Sequence, residues 1–172
     1  GDRFGIANAL TNLATVHLKR GEIERARELL VEGLELRRGL AEKRGLAFSL
    51  MLLGIVEVES GRPGEAAPPL AEALALREET GDQRGTVDVV EAFARQAGAR
   101  GDWARALRLA GAAGAARERL GMAITPLDRA PLEALAGAAR RALGDEAADR
   151  ATAEGRALTS DEMAALARER ET

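Results

Sequence analysis

Apolar side chains recur every three or four residues over most of this chain, and the first stretch shows the pattern clearly. Between residues 4 and 20 this spacing places one apolar stripe along a helix. Gly21 follows, and a glycine there permits the left-handed backbone that ends a helix. A second stripe runs over about 22–38, so the sequence predicts two helices joined by a tight turn. The apolar positions are Ile6, Leu10, Leu13, Val16 and Leu18 in the first helix, and Ile23, Ala26, Leu30 and Leu34 in the second.

The same arrangement returns every 40 residues. The matching stretches DRFGIANAL, EKRGLAFSL and DQRGTVDVV each contain one glycine of a first set, and a second glycine set keeps the same spacing. Because a fixed period is the signature of repeat proteins, we expect helix pairs that stack on one continuous core. The residues in register are Gly5, Gly45 and Gly85; Gly21, Gly61 and Gly101; Ala26, Ala66 and Ala106; Leu30, Leu70 and Ala110; and Leu13, Leu53 and Phe93.

The repeat predicts the remaining helices. Units two and three should contain helices at about 43–59 and 62–79, then at about 83–99 and 102–119. A less regular pair is expected at about 126–143 and 145–156, split by Gly144. The last helix, at about 160–170, opens with Thr159 and Glu162 in the spacing of a capping box, and we expect it to cap the array.

Two places depart from the rules for helix interiors. Pro68 and Pro69 lie inside the fourth predicted helix, where proline removes a hydrogen bond at a cost of about 3 kcal/mol or more. This helix should therefore kink, or begin only near Pro68. Gly111 and Gly114 lie inside the sixth helix, each costing about 1 kcal/mol relative to alanine. Close approach of a neighbouring helix is the expected compensation.

These features resemble the tetratricopeptide repeat in its longer-helix form. The large-small pair of that motif falls on Leu13-Ala14, Leu53-Gly54 and Phe93-Ala94, and its small residue after the turn falls on Ala26, Ala66 and Ala106. The aromatic position of the motif is His17, then Glu57, then Ala97, so the departure grows along the chain. The resemblance implies an all-α, right-handed α-solenoid of helix pairs with a C-terminal capping helix. As one repeat domain over 1–172, its units would span about 1–41, 42–81, 82–121 and 122–157.

The resemblance also implies a concave groove lined by the first helix of each pair. It would have an apolar centre, Phe48-Met51-Ile55, between polar flanks, and it would suit a peptide, a helix or a small effector. The alternative is that these three side chains are ordinary core. The groove positions carried over are Asn8, Thr11, Thr15 and Lys19 from unit one; Phe48, Met51, Ile55 and Glu59 from unit two; and Asp88, Glu91 and Arg95 from unit three.

Composition supports helices and argues against catalysis. Alanine, leucine and arginine abound while aromatic residues are 2%, which favours helices over strands. The net charge of −3 gives no electrostatic reason for direct nucleic-acid binding. Without cysteine, thiolate catalysis and thiolate metal sites are impossible, and one histidine makes triads and zinc sites improbable. No phosphate-binding glycine loop, cofactor motif or membrane-spanning apolar run occurs. We expect no enzyme, metal or cofactor. An acid-base pair among the many carboxylates stays open as an alternative, but no spacing singles one out.

Individual residues fit packing better than chemistry. His17 stands at a position that packs between helices, with a titrating switch as the alternative. Trp103 should pack against the next helix, with an interaction hot spot as the alternative. Arg25, Arg27, Arg37 and Arg38 interleave with glutamates, as on a solvated, ion-paired helix face.

The tail resembles the C-terminal region of large bacterial ATP-binding regulators, including LuxR-type activators. The resemblance rests on RALRLAGAAGAARERLG, ARRALGD and AEGRALTSDEMAALA. It implies a cytoplasmic sensor or interaction array whose nucleotide-binding and DNA-binding parts lie outside this chain. The alternatives are a peptide receptor of the pheromone-sensing repeat kind and an unrecognised enzyme.

The first helix pair is expected to meet a preceding repeat. The chain lacks an initiator methionine, and we take it as a piece of a longer protein. Internal repeats lack polar caps, so the first helix pair should expose apolar surface and either fray or self-associate into a homo-oligomer. Leu10, Val16 and Ile23 are the expected contacts.

Overall fold

The computed structural model describes residues 2–40, 42–124 and 126–169, apart from the side chains of residues 126–128, and this part of the chain contains helices and turns but no strand. The helices are α1 (Arg3–Lys19), α2 (Ile23–Arg37), α3 (Lys43–Glu59), α4 (Ala67–Glu79), α5 (Gln83–Ala99), α6 (Trp103–Arg119), α7 (Pro126–Leu143), α8 (Asp145–Arg156) and α9 (Ser160–Arg168). The fold class is therefore all-α, made of helix pairs as in an α-solenoid. The right-handed course of the solenoid stays a prediction.

The turns follow the glycine register. Gly21, Gly61 and Gly101 have φ of 74°, 74° and 83°, which is the left-handed region expected for a glycine that ends a helix. Gly144 also has a positive φ, of 81°, between α7 and α8. Apart from the start of the fourth helix, the predicted helix limits agree closely with the structure, and the capping box of Thr159 and Glu162 is present at the start of α9. Residue 170, the predicted end of that helix, lies outside the described residues.

The fourth helix begins late, as one of the two alternatives predicted. Residues 62–66 form turns, and α4 starts at Ala67, so that Pro68 and Pro69 fall in its first turn. Amide groups in the first turn have no partner within the helix, and proline is therefore tolerated there.

The contacts divide the chain into two compact units, Gly1–Asp82 and Gln83–Thr172. We write these as unit 1 and unit 2, in digits, to distinguish them from the 40-residue repeat units one to four. In unit 1, α1 pairs with α2, α3 pairs with α4, and α2 packs between α1 and α3. The small residues expected to bring paired helices together are all buried: Ala14, Ala26, Gly54 and Ala66. A Cβ added to Gly54 would lie 2.5 Å from two carbons of Leu70, so the α3–α4 pair depends on the missing side chain.

In unit 2, α5 pairs with α6, and Ala94 and Ala106 are fully buried in that pair. The irregular fourth pair differs from the regular pairs, because α8 packs chiefly against α6 and only slightly against α7. Glycines explain this contact: a Cβ on Gly111 of α6 would lie 2.5 Å from the carbonyl oxygen of Thr152, and one on Gly155 of α8 would collide with the backbone of Arg108. The close approach expected at Gly111 is confirmed.

At Gly114 the expectation of close approach by a neighbouring helix is wrong, since an added Cβ would meet only the Arg156 side chain, at 3.9 Å.

The last helix, α9, packs on α5 and α6. Arg105 of α6 is 6% exposed, and its Nη2 donates to the carbonyl oxygens of Leu166, Ala167 and Glu169 at 3.2, 3.2 and 2.9 Å. A buried guanidinium thus binds carbonyl groups at the end of α9, which have no partners within the helix.

Candidate interaction surface

The groove positions of unit 1 fall into three classes of exposure. Lys19, Phe48 and Glu59 are exposed, and Phe48 at 37% is one of the few large apolar side chains in the described residues that remain so. The half-buried positions are Asn8, Thr15 and Ile55. Thr11 and Met51 are 2% and 6% exposed. These two side chains therefore belong to the packed interior in this conformation, and the apolar centre that remains accessible is Phe48 with part of Ile55.

Hydrogen bonds fix Thr11 and Thr15, two of the polar groove positions of α1. Thr11 Oγ1 lies 2.9 Å from the carbonyl oxygen of Ala7 and 2.9 Å from Ser49 Oγ of α3, so it joins the first helices of the two pairs. Thr15 Oγ1 donates to the carbonyl oxygen of Thr11 at 3.0 Å. These two threonine side chains are consequently held in place before any partner binds.

A buried arginine connects each helix pair of unit 1 to the acid that follows it. Arg37, at the end of α2, is 2% exposed; its Nη1 donates to Glu42 Oε2 at 2.7 Å and its Nη2 to Asn8 Oδ1 at 2.6 Å. Forty residues later, Arg77 Nη1 donates to Asp82 Oδ2 at 2.6 Å. We call each of these pairs, Arg37–Glu42 and Arg77–Asp82, an arginine clasp.

The clasp explains why Gly45 is a glycine. Glu42 is the N-cap of α3 and accepts the amide of Gly45 at 2.7 Å, while a Cβ on Gly45 would collide with both Glu42 and Arg37 Nη1. Glycine at this position therefore leaves room for the arginine over the first turn of the helix.

A second ion cluster joins α2 to α3 in unit 1. Glu57 is 4% exposed and accepts Nε of Arg27 at 2.7 Å and Nε of Arg62 at 2.8 Å. Burial raises the pKa of the Glu57 carboxyl, but the hydrogen bonds from Arg62 and Arg27 outweigh it, so the pKa lies below its ordinary value. The carboxylate therefore stays ionised although it lies in the interior.

In unit 2 the groove positions lie on α5. Asp88, Glu91 and Arg95 are all half-buried. Arg117 of α6 donates from Nε and Nη2 to Glu91, at 2.9 and 2.8 Å, and from Nη2 to Asp88 at 3.1 Å. Burial lowers the pKa of the Arg117 guanidinium, yet these two carboxylates reverse the effect and raise it. The α5 positions therefore form a charge-paired surface rather than an apolar one.

The sequence did not reveal the buried arginines. Arg37 was predicted on a solvated face, and this prediction is wrong because the side chain lies between α1 and α3. Arg37, Arg77 and Arg117 keep the 40-residue spacing of the glycines, and an acid follows the first two after five residues. That shared register was the available signal, since surface charges have no reason to follow the repeat.

His17 and Trp103 are both half-buried. His17 Nδ1 contacts Glu22 across the α1–α2 turn, and its side chain is 18% exposed. Trp103 is half-buried, and together with Leu135 it covers Gly98, whose added Cβ would lie 3.4 and 3.1 Å from them. Trp103 thus lies over α5, the helix before its own; its packing against the next helix stays a prediction.

The described part of the chain offers no metal cluster and no membrane span. Over residues 2–40, 42–124 and 126–169, no group of three or more histidine, aspartate or glutamate side chains is placed to hold a metal ion. No described helix combines the length and the apolar character that crossing a membrane requires.

Comparison with known families agrees with the repeat geometry of unit 1. Residues 5–79 match the tetratricopeptide repeat. The match covers α1 to α4 and supports a tetratricopeptide array there, a class of repeat that mediates protein interactions.

Curated relatives extend the comparison beyond unit 1. Proteins that carry the provisional name HTH-type transcriptional regulator, from Mycobacterium bovis and from Mycobacterium tuberculosis strains CDC 1551 and H37Rv, are each 36% identical over 119 residues, or 69% of this chain. The chain spans only 14% of the length of these relatives. No solved structure matches at a significant level.

Proposed function

We propose that this chain is a protein-interaction module that senses a signal for a larger bacterial transcriptional regulator of the LuxR-like, ATP-binding kind. The observation that carries the proposal is the tetratricopeptide match over α1 to α4, together with relatives named as regulators. A tetratricopeptide array offers a rigid surface for a partner, and the groove positions that remain accessible here are the exposed Lys19, Phe48 and Glu59. Catalysis, a cofactor and direct nucleic-acid contact play no part in the proposal.

The test is made in the parent regulator. Removing the segment that corresponds to residues 1–172 should change how the regulator's transcriptional output responds to its signal, because the module restrains or assembles the rest. A matched control replaces only Phe4, a 49% exposed side chain outside the groove positions, with serine. An output that is unchanged by the deletion contradicts the proposal.

The second candidate is a peptide receptor of the pheromone-sensing repeat kind, favoured by the exposed Phe48 beside Ile55. Replacing Phe48 with serine should weaken peptide binding at least tenfold while helical content and melting temperature stay the same. Phe4→Ser serves again as the control. Undiminished peptide affinity in the Phe48 variant would exclude this groove.

Further parts of the proposal concern effectors, assembly and location. A small-molecule effector, a homo-oligomer formed through the first helix pair and a cytoplasmic location remain predictions. Sedimentation at increasing concentration tests the homo-oligomer, and a constant monomer mass would contradict it.

A further inference from the structure

The outer face of α1 is apolar and exposed. Ile6, Leu13 and Val16 are 50, 44 and 43% exposed, and their spacing of seven and three residues places them on one side of the helix. The residues of α1 that face its own pair are small: Ala7, Thr11 and Ala14 are buried. Ile6, Leu13 and Val16 therefore point away from the core that α1 shares with α2, whereas Leu10 of the same predicted stripe lies against Gly33 of α2.

The repeat shows how such a face is closed. The residues of α3 that correspond to Ile6, Leu13 and Val16 are Leu46 and Leu53, which are half-buried, and Val56, which is fully buried. This face of α3 is covered because the preceding pair packs on it, through Thr11 with Ser49 and through Arg27 with Glu57. The same surface on α1 has the shape that receives a helix pair.

The start of α1 also carries half of an arginine clasp. Asp2 occupies the register position of Glu42 and Asp82, and its Oδ1 accepts the amide of Gly5 at 2.8 Å, as Glu42 accepts that of Gly45. Over Gly45 the guanidinium of Arg37 fills the space that a Cβ would take. Over Gly5 the three nearest atoms all belong to Asp2. The acid and the glycine cradle are both present, and none of these three atoms belongs to an arginine.

We propose that the outer face of α1 docks a further tetratricopeptide-type helix pair whose second helix presents an arginine to Asp2 across Gly5. A second copy of this chain, which is the homo-oligomer predicted above, is the competing occupant; it fits less well, because its α2 is packed between α1 and α3 and its Arg37 is bound to Glu42. The proposal extends the role as an interaction module and is independent of the groove.

The experiment adds one period to the chain. Residues 2–41 are placed directly before residues 2–172, which continues the 40-residue register. The chain has no cysteine, so Leu13→Cys in the original block reports the exposure of this face through its rate of reaction with a thiol reagent. We expect the added block to slow this reaction at least tenfold and to add helical content. Glu35→Cys, at an exposed position of α2, should react at the same rate with and without the block.

Two variants test the clasp itself. Arg37→Ala in the added block, or Asp2→Asn in the original block, should return at least part of the lost reactivity of Leu13→Cys. Equal reaction rates with and without the added block, or an added block that stays unhelical, would overturn the proposal. So would a rate that falls with rising concentration of the unextended chain, because a second copy would then be the occupant. The Phe48→Ser binding test is unaffected by any of these results.

Discussion

Gly111 of α6 touches the backbone of α8, since a Cβ built on it would stand 2.5 Å from the carbonyl oxygen of Thr152. A carbonyl group inside a helix cannot move aside as a flexible side chain does. The replacement Gly111→Ala should therefore force the two helices apart and destabilise the protein by about 1–3 kcal/mol, as overpacking does.

The neighbouring glycine provides the control for this prediction. Gly114→Ala meets only the Arg156 side chain at 3.9 Å, and it should stabilise the helix by up to about 1 kcal/mol. Urea unfolding of both variants measures the difference. If the two replacements change the free energy of unfolding in the same direction, the close α6–α8 contact is not what requires glycine.

The arginine clasp predicts that two adjacent arginines differ greatly in importance. Arg37→Ala removes a buried guanidinium and leaves Glu42 and Asn8 without their partner, which should cost about 2–3 kcal/mol. Arg38, the next residue, is exposed, and Arg38→Ala should change stability by less than about 0.5 kcal/mol. Thermal unfolding compares them, and equal losses would contradict the clasp.

Glu57 predicts a pH-dependent contribution to stability. Its pKa is lower in the folded protein than in the unfolded chain, so its stabilisation is fully present above the unfolded pKa. It is lost as the pH falls through the lowered folded pKa. Glu57→Gln should destabilise the protein by about 1–2 kcal/mol at pH 7, and the difference from the original chain should shrink in acid. Denaturant unfolding between pH 7 and pH 3 measures it.

The control for Glu57 is Glu35→Gln, an exposed glutamate of α2. It should show almost no effect at either pH. A Glu57 variant whose deficit is the same at pH 3 and pH 7 would mean that the carboxylate charge contributes nothing.

Arg105 predicts the local stability of the last helix. Arg105→Gln loses the hydrogen bonds to three carbonyl groups at the end of α9, and that helix should open more often. Hydrogen exchange of the amides of residues 160–168 should become at least tenfold faster, while α6 keeps its protection. Arg150→Gln, at an exposed position of α8, should leave the exchange of α9 as it was; unchanged exchange in the Arg105 variant would show that other contacts hold α9.

The helices could be predicted from the sequence because their signals are local. The turns at Gly21 and Gly61 require a positive φ, which glycine permits. Thr159 and Glu162 cap a helix within four residues. The late start of α4 follows from two prolines that act on their own turn. None of these signals depends on which helix lies opposite.

The surfaces were harder to predict because exposure depends on neighbours that are distant in sequence. Thr11 and Met51 stand at positions that line the groove in the repeat family, yet they are buried through contacts between helices. Arg37 looked like any charged residue on a helix face until its partners Asn8, 29 residues away, and Glu42 were placed. Gly111 and Gly114 have the same helix propensity, and only the position of α8 distinguishes them.

Trp103 is the single tryptophan and the chain has no tyrosine. Its indole lies beside Gly98 in unit 2, so tryptophan fluorescence reports on that unit, and unit 1 gives no tryptophan signal. Circular dichroism records the helices of both. An unfolding curve recorded by fluorescence and another by dichroism therefore provide a label-free way to learn whether the two units melt together.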